Sequence, residues 1–511
     1  MTRFKIQTVF ITLLLVSSLL SCSNIKDKVS APNIIVFLID DMGLMDSSVP
    51  FLCDATGTPV KYPLNSFYRT PNMEKMAEQG IRFTNFYAHS VCSPTRASLM
   101  TGQNSARHAS TNWINSESNN RTEFGPSDWN WKGLTKADVT LPCELQKAGY
   151  KTIHAGKAHF GPIGSEGENP LNLGFDVNIG GNSAGQPGSY YGVDGFGHIN
   201  GWKARAVPGL EKYHGQDIFL TEALTIEANA AISKAHEEDK PFFLYMSHYA
   251  VHAPFQSDAR FADNYKDSGK SEKAQAYATL IEGIDKSLGD IMQHVKDLGL
   301  GDNTLILFLG DNGSDAPLVV HEGYSSSSPL KGKKGHHWEG GMRVPFIAAW
   351  ATPNVKQYWQ KKLPVPQGAI QQQTGTVLDL LSTFCQLLDI QLPDDYQTDG
   401  FALNEQLKGK INKQRDERFL NHFPHGNHRT NYFTSLVDGD WKVIYHYPIE
   451  DAPRYELFNL KDDPFEANNL SADNPEQLAI MMNGLQSEMD EMNALYPEKE
   501  GESLTLMMPA Q

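Results

Sequence analysis

The stretch PNIIVFLID (residues 32–40) is apolar and largely β-branched at every position from Ile34 to Ile39, then stops at a carboxylate. A strand with one wet face would alternate apolar with polar residues. An unbroken run is what a strand covered on both faces needs. The pattern returns in KPFFLYMSHYAVHAP from Lys240 and in NTLILFLGDNG from Asn303, with a shorter version in GYKTIHAGKAHFG from Gly149. Between these runs lie TPNMEKMAEQG, TLPCELQKAG, QDIFLTEALTIEANAAISKAHEE and QAYATLIEGIDKSLGDIMQHVKDLG. Their apolar residues recur at helical spacing, and glycine stops most of them. Strands alternating with helices predict an α/β fold, a large and mostly parallel sheet sandwiched by helices.

The character changes near residue 395. NYFTSLVDGDWKVIYHYP reads as two alternating runs joined through Asp-Gly, a hairpin signal. RYELFNLKDDPFEANNL continues it, and PEQLAIMMNGLQSEMDEMNALY is a terminal helix. The expected organisation is a catalytic domain over residues 32–395 and a smaller C-terminal α+β subdomain, with an antiparallel sheet, over 396–511.

The chain has 511 residues, 40% hydrophobic and 20% charged, with a formal net charge of −16. That is the balance of a soluble globular enzyme, and it excludes a nucleic-acid binder, which needs a basic face. The field of the whole molecule repels anions, so an anionic substrate must be drawn in by a local basic pocket. Arg3 and Lys5 precede an apolar stretch over residues 9–20, and LLSC ends it at Cys22. The stretch is too short to span a bilayer and reads as a signal peptide over residues 1–22. The cysteine after it resembles a bacterial lipoprotein signal. The expectation is an exported protein of the periplasm or outer membrane, anchored by lipid at Cys22.

In an open parallel sheet the site lies beyond the carboxyl ends of the strands. Here each run ends in chemistry: Asp40-Asp41, Lys157 with His159, His248 with His252, and Asp311-Asn312. Carboxylates at a strand end commonly cap the next helix, but four such coincidences on one rim point to a site. Asp40, Asp41, Asp311 and Asn312 form an all-oxygen set suited to one hard cation, Ca²⁺ or Mg²⁺, and not to a zinc pair. Lys157, His159, His252 and Lys334 add cationic and proton-transferring groups suited to a tetrahedral oxyanion. The five cysteines, Cys22, Cys53, Cys92, Cys143 and Cys385, show neither metal spacing nor a disulfide framework. Cys143 and Cys385 fall in apolar helical patterns, whereas Cys92 is flanked by polar, turn-forming residues.

CSPTRASLMTG, residues 92–102, resembles the signature of the type I sulfatases, Cys-x-Pro-x-Arg followed by Thr-Gly. The resemblance runs from Asn33 to about Leu470 through LIDDMG, GIRFTNFYAHSVCSPTRA, HAPF, KGHHWEGGMRVPF and YELFNLKDDPFEANNL. It implies an alkaline-phosphatase-like fold similar to bacterial arylsulfatase-like carbohydrate sulfatases. It also implies that a separate maturase oxidises Cys92 to Cα-formylglycine (3-oxoalanine), whose hydrate attacks sulfur while Arg96 steadies it. Asp40, Asp41, Asp311 and Asn312 would hold one calcium ion that also touches residue 92. His252 would protonate the leaving alcohol, His159 would help expel sulfate, and Lys157 and Lys334 would neutralise the transferred group. One departure stands out: Ala158 occupies a position where the family carries a bulky aromatic.

Substrate contacts are less legible. The expected candidates are the histidines of HFPHGNH (His422, His425 and His428), with His321, His336, His337 and Ser183. The loops NWINSESNNRTEF and GGNSAGQPGSYYGVDGFGH have the polar-aromatic make-up of sugar-binding surfaces. The leading reading is an exo-acting sulfatase of a sulfated polysaccharide or glycosaminoglycan. Two others compete: a phosphodiesterase or phosphonate monoester hydrolase of the same superfamily, and a non-catalytic glycan-binding lipoprotein. Sulfate against phosphate esters separates the first two, and gaps in the site would mark the third.

Overall fold

The structure, a computed structural model, describes residues 30–318, 326–428, 430–449 and 453–509. The expected signal peptide with Cys22, and His321, lie outside the described residues. Pro32–Gln511 cluster as one compact unit.

The opening run forms β1 (Asn33–Ile39), buried at all seven positions. Strands β2 (Ile81–Phe83), β3 (Lys151–Gly156), β4 (Val177–Ile179), β5 (Phe242–His248), β6 (Thr304–Gly310), β7 (Phe346–Trp350) and β8 (Ala369–Gln371) complete an eight-stranded sheet, ordered β4-β3-β5-β1-β6-β7-β2-β8. The five strands from β4 to β6 run parallel, while β7 is antiparallel to both neighbours, β6 and β2. The fold is therefore the mixed, mostly parallel sheet that the hydrophobic runs predict. β1 sits at its centre because its side chains have no polar face to turn outward.

Four predicted helices form α1 (Pro71–Gln79), α3 (Leu141–Lys147), α4 (Leu220–Glu237) and α5 (Glu272–Asp297), with α2 (Cys92–Thr101) between the first two. In α5 the Ser271 hydroxyl accepts from Ala274 N, and Leu280, Ile284, Leu288, Ile291 and Val295 line one buried face. Each such side chain contributes about 1.5–3 kcal/mol by leaving water. His248 points into this layer, not to the rim: its Nε2 meets Ser287 Oγ at 2.9 Å, and its ring lies 5.2 Å from Phe37.

The C-terminal part forms an antiparallel sheet of β9 (Arg418–Phe423), β10 (Phe433–Asp438), β11 (Trp441–His446) and β12 (Tyr455–Asn459), backed by α6 (Pro475–Glu491). Asp438 pairs with Trp441, leaving Gly439-Asp440 as a two-residue turn in which Gly439 takes φ 57°. A side chain would strain that conformation. Cys53, Cys92, Cys143 and Cys385 are all free thiols.

Candidate active site

Strand register levels the chemistry. Ile39 pairs with His248 on one side and Gly310 on the other, and Gly156 pairs with Ser247. The residues that follow β1, β6 and β3 are thus Asp40, Asp311 and Lys157, side by side. Backbone bonds extend the ladder one step further, from Asp311 N to the Ile39 carbonyl (3.0 Å) and from Lys157 N to the Ser247 carbonyl (2.7 Å). Asp41 and His159 then turn inward with φ of 63° and 56°. Non-glycine residues rarely accept this left-handed region, and strain of that kind concentrates at functional sites.

Three carboxylates converge. Ligand oxygens of Asp40, Asp41 and Asp311 lie within 4.8 Å of one another, all buried. Cations offset them: Lys157 Nζ meets both oxygens of Asp40 (2.8 and 2.7 Å), and Lys334 Nζ lies 2.6 Å from Asp41 Oδ1. Arg96 donates from Nε and Nη2 to Asp311 Oδ2 at 3.0 and 2.8 Å, and from Nη1 to the Lys157 carbonyl. Burial, followed by repulsion from Asp40, lifts the Asp311 carboxyl to about 6. Burial also raises Asp40, against the pull of Lys157. Asp41 is held well below the carboxylate range, because Lys334 and His252 outweigh its burial.

Cys92 opens α2, whose ten residues are all buried. Arg96, one turn later, shares its face. Pro94 falls in the first turn, where backbone N–H groups have no intrahelical partner, so it removes no helical bond. Burial pushes the Cys92 thiol up even though Lys157 and Lys334 pull the other way. It therefore stays a thiol at neutral pH, not the thiolate a cysteine nucleophile requires.

The two site histidines are held in definite tautomers. His159 Nε2 donates to the Ile114 carbonyl at 2.6 Å, which leaves Nδ1 as an acceptor facing Cys92 Sγ (3.5 Å) and Ser93 Oγ (3.3 Å). His252 Nδ1 donates to the Ala253 carbonyl at 3.0 Å, leaving Nε2 toward Asp41 Oδ2 at 3.5 Å. Burial and then Lys334 lower His252 to about 4. Burial and then Lys157 hold His159 well below its ordinary value.

A cavity of about 160 Å³ opens above Cys92, lined by Trp113, Ile114, His159, Gly185, Gln186, Arg205, His252, Lys334 and His428. Both polar-aromatic loops singled out in the sequence contribute to it. Of the three evenly spaced histidines only His428 does. His422 lies in β9, with Nδ1 2.7 Å from Thr434 Oγ1 and Nε2 2.7 Å from the Leu495 carbonyl. His425 packs on Trp129 and meets Thr111 Oγ1 at 2.8 Å. His337 is buried beside Glu456 and His446. Ser183 and Ala158 are buried and do not line the cavity. Sequence reasoning passed over Arg205, Gln186 and the Ile114 carbonyl. Ile114 and Gln186 sit in irregular loops and Arg205 ends a single 3₁₀ turn (Lys203–Arg205), so no periodicity marks a contact, and a carbonyl carries no residue-type signal at all.

The sulfatase family model matches residues 32–390, and the C-terminal model of N-sulphoglucosamine sulphohydrolase matches residues 334–502. The N-acetylgalactosamine-6-sulfatase of Mus musculus is 30% identical over 399 residues, covering 74% of this chain and 67% of that protein. A sulfatase of Formosa agariphila is 28% identical over 530 residues, covering 92% and 91%. Among solved structures, Ps i-CgsB in complex with k-i-k-neocarrahexaose superposes with a TM-score of 0.69 at 25% identity, covering 90% of this chain and 93% of that one. A rim of acidic and basic side chains around a cysteine at a helix start, on a sheet of this order, thus meets a family model spanning most of the chain: the protein belongs to the sulfatase family and is a sulfuric ester hydrolase.

Proposed function

We propose that this chain hydrolyses sulfate monoesters carried by sugars, with Cys92 matured to formylglycine and one Ca²⁺ at the rim. The observation that carries the reading is the convergence of Asp40, Asp41, Asp311, Lys157 and Lys334 on the buried Cys92. The donor set fits a hard divalent cation. It is all oxygen, and Asn312 Oδ1 is buried without a hydrogen-bond partner. Asp40, Asp41, Asp311 and Asn312 would hold the ion, which supplies Lewis-acid polarisation of the sulfate oxygens. A formylglycine hydrate at residue 92 would supply a hydroxyl nucleophile where the inert thiol stands.

The chain's own groups have assignable work. Arg96, locked between Asp311 and the Lys157 carbonyl, fixes the start of α2 against the rim. His159 Nδ1 is oriented to take a proton from a hydroxyl at residue 92. Lys334 and His252 both approach Asp41 Oδ2 and both line the cavity, so either reaches an ester oxygen there. A neutral His252 gains a proton more readily once an anionic ester is close, since a nearby opposite charge favours the charged form. Lys157 and Lys334 neutralise charge on the transferred group in a site shielded from water.

The sugar preference rests on the polar-aromatic cavity wall and on the N-acetylgalactosamine-6-sulfatase relative. Export and lipid attachment at Cys22 rest on the leader sequence. The test has two parts. The peptide containing residue 92 is weighed for the thiol-to-aldehyde mass loss. The purified enzyme is then assayed on matched sulfate and phosphate esters of sugars. An unmodified thiol in active enzyme, or a preference for the phosphate esters, refutes the proposal.

A further inference from the structure

The cavity holds two cationic side chains of different standing. Lys334 is claimed by Asp41. Arg205 is only 8% exposed, yet among the described residues it forms no ion pair with a carboxylate. Among the described residues, the only hydrogen bond of its side chain runs from Nη1 to Ser116 Oγ, and its buried Nε has no acceptor. The nearest acidic influence is Glu117, an exposed residue, and burial holds the guanidinium below its ordinary value. Taking a cation out of water without a counter-charge is costly, and proteins rarely leave one in that condition.

The side chain is nonetheless held firmly. The Trp202 ring lies 4.8 Å from its guanidinium carbon, so the fork is stacked on one face and tied at one corner by Ser116. The Arg205 carbonyl accepts from Gly188 N at 2.7 Å, joining this segment to the loop that places Gly185 and Gln186 in the cavity. Arg205 is also close enough to the reacting end for its charge to depress His159. A fixed guanidinium edge with open donors matches a carboxylate or a sulfate, each of which accepts two parallel N–H bonds.

We propose that Arg205 binds a second anionic group of the substrate, so that the preferred sugar unit carries another oxyanion, a carboxylate or a second sulfate, beside the ester that is cleaved. The inference rests on the sulfatase reading and narrows it to doubly anionic sugars. It also explains how a protein of net charge −16 gathers a polyanion: the attraction is local to the pocket. Arg205 selects and positions the sugar, and the sulfur chemistry stays with the rim.

The experiment compares kcat/KM on three matched substrates: a monosulfated neutral sugar, its disulfated counterpart and a monosulfated uronic acid. The wild-type enzyme should prefer one of the two doubly anionic substrates by roughly 10- to 100-fold, the range of a charge-assisted hydrogen bond. Whichever is preferred identifies the group as sulfate or carboxylate. Arg205→Gln should collapse that preference, chiefly through KM, and Arg205→Lys should restore part of it, because charge returns without the fork. Melting temperatures of both variants establish that they fold. Nitrophenyl sulfate separates the possible failures. Turnover of it by wild-type enzyme, with a substrate preference that Arg205→Gln leaves unchanged, overturns the role of Arg205 alone. No turnover of it or of any sugar sulfate overturns the sulfatase reading and this inference together.

Discussion

His159 Nδ1 stands 3.5 Å from Cys92 Sγ, and the ring is turned to that atom by the Ile114 carbonyl, 2.6 Å from the opposite nitrogen. A ring clamped in this way can accept a proton only on the side of residue 92. In the proposed reaction this makes the base and the nucleophile-bearing position a matched pair, set by a main-chain group that side-chain substitution cannot remove.

On the proposed mechanism, Cys92→Ala removes the atom at which the reaction starts and very little volume. Turnover should fall by about 10³-fold or more. The melting temperature should stay within a few degrees of wild type. Activity comparable with wild type in a variant of confirmed sequence would show that the reaction does not pass through residue 92.

The two histidines should separate by leaving group. His252→Ala should lose about 10²–10⁴-fold on a sulfated sugar, the range of general acid catalysis, because an alkoxide leaves poorly without a proton. Its loss on nitrophenyl sulfate should be much smaller. His159→Ala should reduce kcat on both substrates alike, since its position serves residue 92. Equal losses for His252→Ala on the two esters would pass the acid role to Lys334, the other donor near Asp41.

Chelator treatment should abolish activity, and calcium should restore it more effectively than zinc. Elemental analysis should find one calcium per chain. Ligand present at a hundredfold excess over its Kd adds about 2.7 kcal/mol to stability, so the melting temperature should rise on calcium addition. In Asp311→Asn that rise should shrink. Two tightly bound zinc ions, with activity restored by zinc alone, would contradict the assignment.

Acid should destabilise the fold in a definite window. Burial lowers His89, His154 and His248 each to about 3 from an ordinary 6.5. Below pH 6.5 the unfolded chain binds protons at these positions and the folded chain does not. Their contribution is therefore complete above that pH and is lost as pH falls toward 3, by about 1.4 kcal/mol per unit for each group. Melting curves between pH 7 and 5 should show the decline. His248→Gln, which keeps an amide near Ser287, should make the decline shallower, and an unchanged slope would exclude His248 from it.

How far the sequence could be read follows from which interactions are local. β1 was legible because burial on both faces forces a continuous apolar run. Asp40, Lys157 and Asp311 followed because a strand's end is also its exit to the rim. The hairpin at Gly439 was legible for a similar reason, since a two-residue turn needs particular residues. The histidine series was not. His422, His425 and His428 share a spacing, but β9 ends at Phe423, so the first is tied to Thr434 and only the last reaches the cavity. His248 faces α5 because alternate residues of a strand point to opposite faces. Arg205 was silent because its meaning lies in a missing partner, which only three dimensions reveal.

The rim hangs on the hydrogen-bonded register of β1, β3, β5 and β6, whereas Trp113, Gln186, Arg205 and His428 arrive on three separate connections that cross the surface. The groups proposed for reaction and for recognition therefore come from different parts of the chain. Loops tolerate exchange far better than paired strands do. A lineage built on this sheet can diversify toward new sulfated sugars by trading those connections, with the bond-breaking apparatus passed on intact.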